Sequence, residues 1–400
     1  MYSNKEGFSP EFVDLVFHSE DANQGILVLD PFCGGGTVPT VATLVGHRTI
    51  GIEVNPFMAF LSKAKLIQTK EKILSDYGKI VADGILTAKG ISPLCGYSTF
   101  TRQDGGKPGL FEADVLNGFE GGWIASQAVP MPCRRLLRLA LVGSEMDQCH
   151  AVRDGKALRY RQELIDANFT GETLLDSFLS RVEEIKEDLN SSPIFSAQQS
   201  IWLGDSRHKL KQLGERRFNI CITSPPYLNS FDYSDIYRPE LFLGKFVHTT
   251  TKLRDVRLNT IRSHLQVKWP RPKRSDFGPL FNDAWREIER RKDSLWDARI
   301  PSMVQAYFED LSQVFSELRK VAAPKASIWM IVSTSAYAGV QIPVDLILAD
   351  LGEAAGWKLR SLDVVRQLRS SGQHWNSLDS GDVGHGDFLP LRESVIVFGS

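Results

Sequence analysis

Two short segments far apart in the chain carry residue types that can do chemistry. Residues 30–37 read Asp-Pro-Phe-Cys-Gly-Gly-Gly-Thr after the apolar run 26–29, and residues 223–227 read Thr-Ser-Pro-Pro-Tyr after the run 219–222. In the first, Gly34, Gly35 and Gly36 remove the Cβ atoms that would hold a ligand away from the backbone. In the second, the Ser224 hydroxyl and the Pro225 carbonyl can accept hydrogen bonds, and Tyr227 offers a flat face. Pro225 and Pro226 fix φ and supply no competing N–H, so the carbonyl direction is preset. Acceptors beside an aromatic face suit a planar, amine-bearing ring.

Both turns need strands beneath them and helices beside them. Residues 26–29 predict a buried strand, and Pro39 suits the first turn of the helix that follows, which runs through 41–45 to a stop at Gly46. A second strand, 48–52, ends at Glu53, about 20 residues past Asp30, where an acidic side chain commonly binds ribose hydroxyls. That much also describes dinucleotide enzymes. Pro39, however, stands where G-x-G-x-x-G requires its last glycine.

Together the motifs resemble the amino-methyltransferases of DNA, which methylate an exocyclic nitrogen of cytosine or adenine with S-adenosyl-L-methionine. Their usual loop is Asp-Pro-Phe-Cys-Gly-Ser-Gly-Thr, and Gly35 replaces the serine here. The resemblance implies that Asp30 faces the methionine amine of the cofactor, with Phe32, Cys33, Gly34, Gly36 and Thr37 around it. It implies further that Glu53 binds the ribose and that Asn55 and Pro56 line the adenine side. Phe8, at the start of the helix before the first strand, contributes to the same pocket. Residues 201–206 are similar to the third-strand motif, which places Asp205, followed by Ser206, to accept from the adenine amino group. Gly-Asp-Ser is also good helix-capping sequence, and the two roles can coexist.

For the second turn the resemblance implies catalysis. An exocyclic amine is a poor nucleophile because its lone pair is delocalised into the ring. Ser224 and Pro225 would hold its N–H groups out of the base plane while an extruded base stacks on Tyr227. Ser-Pro-Pro-Tyr leans to N4 of cytosine. An N6-adenine enzyme, an RNA amino-methyltransferase and a catalytically silent DNA-binding subunit are the alternatives.

The expected fold is α/β: a doubly wound, mostly parallel, seven-stranded methyltransferase sheet (Rossmann-like) with inserted segments. Residues 1–70, 200–245 and 300–400 would form the catalytic domain, with a helix over 307–318, a strand over 326–332, a helix from Val340 ending near Gly356, and a last strand over 392–398. Arg366, Arg369, Ser370 and Gln373 lie in a family-like segment without an assigned role. Residues 71–199 form an insertion, a candidate target-recognition region, irregular from Gly105 to Gly122 and helical from Leu174 to Leu189. A basic hairpin over 151–161 turns at Asp-Gly. Residues 246–300 form a basic insertion, whose Arg262, Lys268, Arg271, Lys273 and Arg274 are candidate DNA contacts, a solvated charged face being the alternative.

Net charge is −1, so nucleic-acid affinity must come from local patches. The five cysteines are scattered and odd in number, which argues against a disulfide framework, and none has zinc-ligand spacing, so no metal is expected. No apolar stretch approaches a membrane span and no secretory signal is visible, which predicts the cytoplasm of a prokaryotic cell. Double-stranded DNA is the expected partner, and a cognate restriction endonuclease a further one; nothing indicates the oligomeric state.

Overall fold

The computed structural model describes residues 2, 7, 9–22, 25–87, 91–97, 99–101, 108–154, 157–191, 199–368 and 391–400. The chain divides into two compact units. One comprises Met1–Gly7, Pro56–Ser196 and Tyr233–Leu253; the other comprises Phe8–Asn55, Ala197–Asp232 and Arg254–Ser400. The units follow other boundaries than the expected segments. Residues 56–70 and 233–253 group with the insertion, and 254–300 group with the sheet.

The second unit is built on seven strands: β1 (Leu27–Asp30), β2 (Arg48–Glu53), β3 (Gln199–Leu203), β4 (Phe218–Thr223), β5 (Ala322–Ser333), β6 (Lys358–Gln367) and β7 (Arg392–Gly399). Their order is β6-β7-β5-β4-β1-β2-β3. The pairings β1·β2, β1·β4, β2·β3 and β4·β5 are parallel, and β7 runs antiparallel to both β5 and β6. The expected mostly parallel, doubly wound sheet is the one observed.

Alternation along the strands sorts side chains onto two faces. Leu27, Leu29 and Cys221 share a core with the helices Ile300–Lys320 and Val344–Ala354. Val28, Ile220 and Ile222 pack instead with the helices Pro10–Ser19 and Thr37–Leu44. Both faces are therefore covered, as parallel strands that are apolar throughout require. Because β1 to β4 run the same way, Asp30, Glu53 and Thr223 emerge together at the carboxyl edge of the sheet.

Two expectations about local structure are corrected. Val340–Ile342 does not open a helix; it is a strand paired with Ser335–Tyr337. Ala338 and Gly339 have φ of 48° and 73°, the left-handed pair that a two-residue hairpin turn requires, and the helix starts only after Pro343. In the insertion, residues 113–122 are not irregular but belong to the helix Ala113–Ala125. A Cβ on Gly122 would lie 2.8 Å from Ile85 Cγ1, and one on Gly84 2.5 Å from Ala125 Cβ. These glycines let this helix press against Glu71–Leu86, so close packing outweighs their poor helix propensity. Residues 102–107 lie outside the described residues.

The first unit also contains the helices Met131–Asp147 and Gly171–Ser191, the second spanning the expected 174–189. The basic hairpin is present as Ala151–Asp154 paired antiparallel with Ala157–Tyr160. Among the described residues no helix is long and apolar enough to cross a membrane.

Candidate active site

The glycine turn is held from beneath, with Gly35 and Gly36 buried and Gly34 half-buried. Cys33 N–H donates to Ile52 O at 3.0 Å, and Gly36 N–H to Cys33 O at 2.7 Å. Cys33 is buried and fits only because its neighbour is Gly51, whose Cβ would lie 2.8 Å from the Cys33 sulfur. Gly34 has φ 47° and nothing within 4 Å of where its Cβ would sit. Gly36, with φ 82°, caps the Thr37–Leu44 helix. Phe32 is half-buried against the core under the sheet.

Two buried carboxylates flank this turn. Asp30 Oδ1 accepts from Thr223 Oγ1 at 2.8 Å and from Phe32 N–H at 3.1 Å. Glu53 accepts from Gly34 N–H at 2.8 Å through Oε2 and from Asn55 N–H at 2.7 Å through Oε1. Desolvation pushes the Asp30 carboxyl up to about 7, the nearby Glu53 charge adding to it and the hydrogen bonds from Thr223 and Phe32 opposing it. Burial likewise pushes Glu53 up to about 7 against its backbone hydrogen bonds. Charged groups kept this far from water invite a cation and hydroxyl donors. An ammonium at Asp30 and vicinal hydroxyls at Glu53 meet that demand, so these residues fit S-adenosylmethionine.

The third-strand turn is tied to the first. Gly204 N–H donates to Glu53 O at 2.8 Å, and Ser206 Oγ donates to Pro31 O. Asp205 caps the short Ser206–Lys209 helix, accepting from Arg207 N–H at 2.9 Å. Its carboxylate also holds the Arg207 guanidinium, with Oδ2 2.7 Å from Nη2. Burial works against the Arg207 charge, but Asp205 and Asp310 outweigh it and raise its pKa. The capping role of Asp205 is thus the one observed, and an adenine amino group would have to compete with Arg207. Pro56 opens the helix Pro56–Lys65 of the other unit, and Phe8 lies outside the described residues.

The Ser-Pro-Pro-Tyr turn leaves β4 directly. Ser224, Pro226 and Tyr227 are half-buried and Pro225 is buried. The hairpin braces the following residue: Ser335 Oγ and Tyr337 Oη both donate to Leu228 O, the latter at 3.2 Å. Tyr227 Oη donates to Glu393 Oε1 at 2.6 Å. The sequence alone assigns no role to Thr223 or Glu393. Both act through hydrogen bonds between residues more than 160 positions apart, which no local pattern signals.

The basic segment is less uniform than its sequence. Arg262 is corrected: it is buried, with Nη2 2.7 Å from Asp310 Oδ1 and 2.6 Å from Glu309 Oε2, and is spent on structure. Glu309 Oε1 also accepts the backbone N–H groups of Lys273 and Arg274, at 2.7 and 2.9 Å. That clamp shapes the loop from which Lys268, Arg271, Lys273 and Arg274 remain exposed. Arg274 leans over Phe277 and bonds Ser312. Among the described residues no group of three or more His, Cys, Asp or Glu could hold a metal ion.

Two relatives are similar to this chain over most of its length. The chain is 26% identical over 447 residues to the Type II methyltransferase M.BsoBI of Geobacillus stearothermophilus, covering 98% of this chain and 84% of the relative. It is 25% identical over 390 residues to the Type II methyltransferase M.AvaI of Nostoc, covering 91% and 80%. A shorter stretch of 76 residues, 18% of this chain and 14% of the relative, is 36% identical to the Type II methyltransferase M.MjaII of Methanocaldococcus jannaschii. No protein-family model matches the chain. Among solved structures, the rRNA methyltransferase aviRa of Streptomyces viridochromogenes covers all of this chain and 88% of its own, at 10% identity and a TM-score of 0.31. TrmN of Thermus thermophilus covers 98% and 50% at 10% identity and a TM-score of 0.32, and neither likeness is close enough to carry an argument.

Proposed function

We propose that this protein is a site-specific DNA methyltransferase that modifies the exocyclic N4 of cytosine in duplex DNA. The observation that carries the reading is the Thr223–Asp30 hydrogen bond, which joins the cofactor turn to the catalytic turn at one sheet edge. Similarity to Type II methyltransferases along nearly the whole chain supports it. Their Type II designation also supports pairing with a cognate restriction endonuclease.

S-adenosylmethionine, when bound, supplies a methyl group on a sulfonium that leaves as a neutral thioether in one displacement. Asp30 would hold its ammonium and Glu53 its ribose hydroxyls. Tyr227 receives the face of an extruded base. Ser224 Oγ and the Pro225 carbonyl would accept from the amine N–H groups, which returns lone-pair character to the nitrogen; as the N–CH3 bond forms the S–CH3 bond breaks, and one N–H proton leaves to solvent. Most of the rate then comes from orientation and fixed local charge, and no covalent nucleophile is needed. The exposed Lys268, Arg271, Lys273 and Arg274 supply phosphate contacts.

Ser224 at the head of the turn favours cytosine N4 over adenine N6. Nucleoside mass spectrometry of duplex DNA treated with enzyme and labelled cofactor tests this. N4-methylcytosine is expected; N6-methyladenine alone overturns the choice of base and leaves the chemistry standing.

A further inference from the structure

Glu393 belongs to neither turn, yet it reaches the catalytic one. It stands on β7 directly across the antiparallel ladder from Arg366 on β6. One carboxylate oxygen accepts from the Tyr227 hydroxyl at 2.6 Å. The other lies 2.8 Å from Arg366 Nε, and Arg366 Nη2 adds a 3.2 Å bond to the first. The Glu393 side chain is 12% exposed, whereas that of Arg366 is 65% exposed.

A residue that offered only a flat face would need no hydroxyl partner, since phenylalanine stacks equally well. A phenol bonded to a largely buried carboxylate loses freedom at χ1 and χ2, because turning the ring away breaks a charge-assisted hydrogen bond. Arg366 orients the carboxylate by a two-point contact from the neighbouring strand. The clamp therefore fixes the plane of the Tyr227 ring before any base arrives.

We propose that Glu393 is a positioning residue, oriented by Arg366, that holds the Tyr227 ring at the angle in which an extruded base stacks. The inference rests on the reading of Tyr227 as the stacking face. Its benefit is orientation, which is where catalysis without a covalent nucleophile gains most.

The test is steady-state methylation of duplex DNA by the full-length protein and by Glu393→Ala, Glu393→Gln, Tyr227→Phe and the Tyr227→Phe/Glu393→Ala double variant, with cofactor affinity measured in parallel. Glu393→Ala and Tyr227→Phe should each lower kcat about tenfold while leaving cofactor Kd within about twofold. The double variant should be no slower than Glu393→Ala, because both changes remove one bond. Glu393→Gln keeps an acceptor oxygen for the Tyr227 hydroxyl but loses the charge paired with Arg366, and should be faster than Glu393→Ala and slower than the wild type. Wild-type kcat in Glu393→Ala, or losses that multiply in the double variant, would overturn the inference. Should Glu393→Ala not fold, Glu393→Gln faster than Tyr227→Phe still supports it, and the reverse order contradicts it. A wild-type protein that methylates no DNA would instead remove the stacking reading beneath it.

Discussion

Thr223 Oγ1 donates a 2.8 Å hydrogen bond to Asp30, so the first residue of the Thr-Ser-Pro-Pro-Tyr turn steadies the carboxylate at the head of the glycine turn. The bond favours the ionised form of Asp30 and partly offsets its burial. Thr223→Val should therefore move the pH midpoint of cofactor binding upward, and Thr223→Ser should restore it. Calorimetric titrations across pH read the shift, and an unmoved midpoint in Thr223→Val would leave the bond without a role in binding.

Cofactor affinity should itself depend on pH. Asp30 and Glu53 are both pushed up to about 7, so each is largely protonated at pH 6. An ammonium pairs only with ionised Asp30, and a proton must leave before it binds. Affinity should rise about tenfold between pH 6 and pH 8 for one such group and level off above it. Asp30→Asn should bind weakly at every pH and flatten the profile.

Roles at the site should separate. Tyr227→Ala should abolish turnover with cofactor affinity nearly unchanged, while Glu53→Ala should weaken the cofactor by about 1.5–3 kcal/mol for each ribose hydrogen bond removed. Cofactor binding destroyed by Tyr227→Ala and untouched by Glu53→Ala would reverse the assignment.

The insertion carries a different pH effect. Glu145 is fully buried, neither of its oxygens has a hydrogen-bond partner among the described residues, and burial holds its pKa well above the ordinary carboxylate value. Folding then favours the protonated form, so stability is full below the unfolded pKa and falls as pH rises toward the folded one. Glu145→Gln should be more stable than the wild type at pH 8, with the gap closing toward pH 4. Melting curves at the two pH values check this, and a gap independent of pH would contradict it.

Much of this architecture was legible in the sequence. The strands ending at Asp30, Glu53 and Thr223 were visible because parallel strands covered on both faces read as short apolar runs before turn residues. Local patterning could not show which polar side chains had already been used. Arg262 reads as one more cation in a basic run, and only the fold turns it inward to Asp310 and Glu309. Asp205 reads as a ligand or a cap, and the sequence does not show that Arg207, two residues on, already occupies its carboxylate. The hairpin at 335–342 was hidden because its left-handed turn rests on Ala338 as well as Gly339.

The exposed cations give a salt test. Neutralising Lys268, Arg271 and Lys273 together should weaken binding to all DNA sequences alike. It should also flatten the slope of log affinity against log salt by about 0.9 for each phosphate that is no longer neutralised. Arg262 is left intact in this test because its removal would unseat Asp310. Unchanged affinity and slope would mark these side chains as a solvated face, and altered target preference at constant slope would mean that they read base edges.

On the proposed reading, the two turns together transfer a methyl group to a DNA base. Incubating the full-length protein with methyl-labelled S-adenosylmethionine and duplex DNA, then digesting the DNA for nucleoside mass spectrometry, tests it most directly. Label is expected in N4-methylcytosine, and none after Ser224→Ala or Tyr227→Ala. Label absent from DNA, or found only in RNA, would contradict the claim.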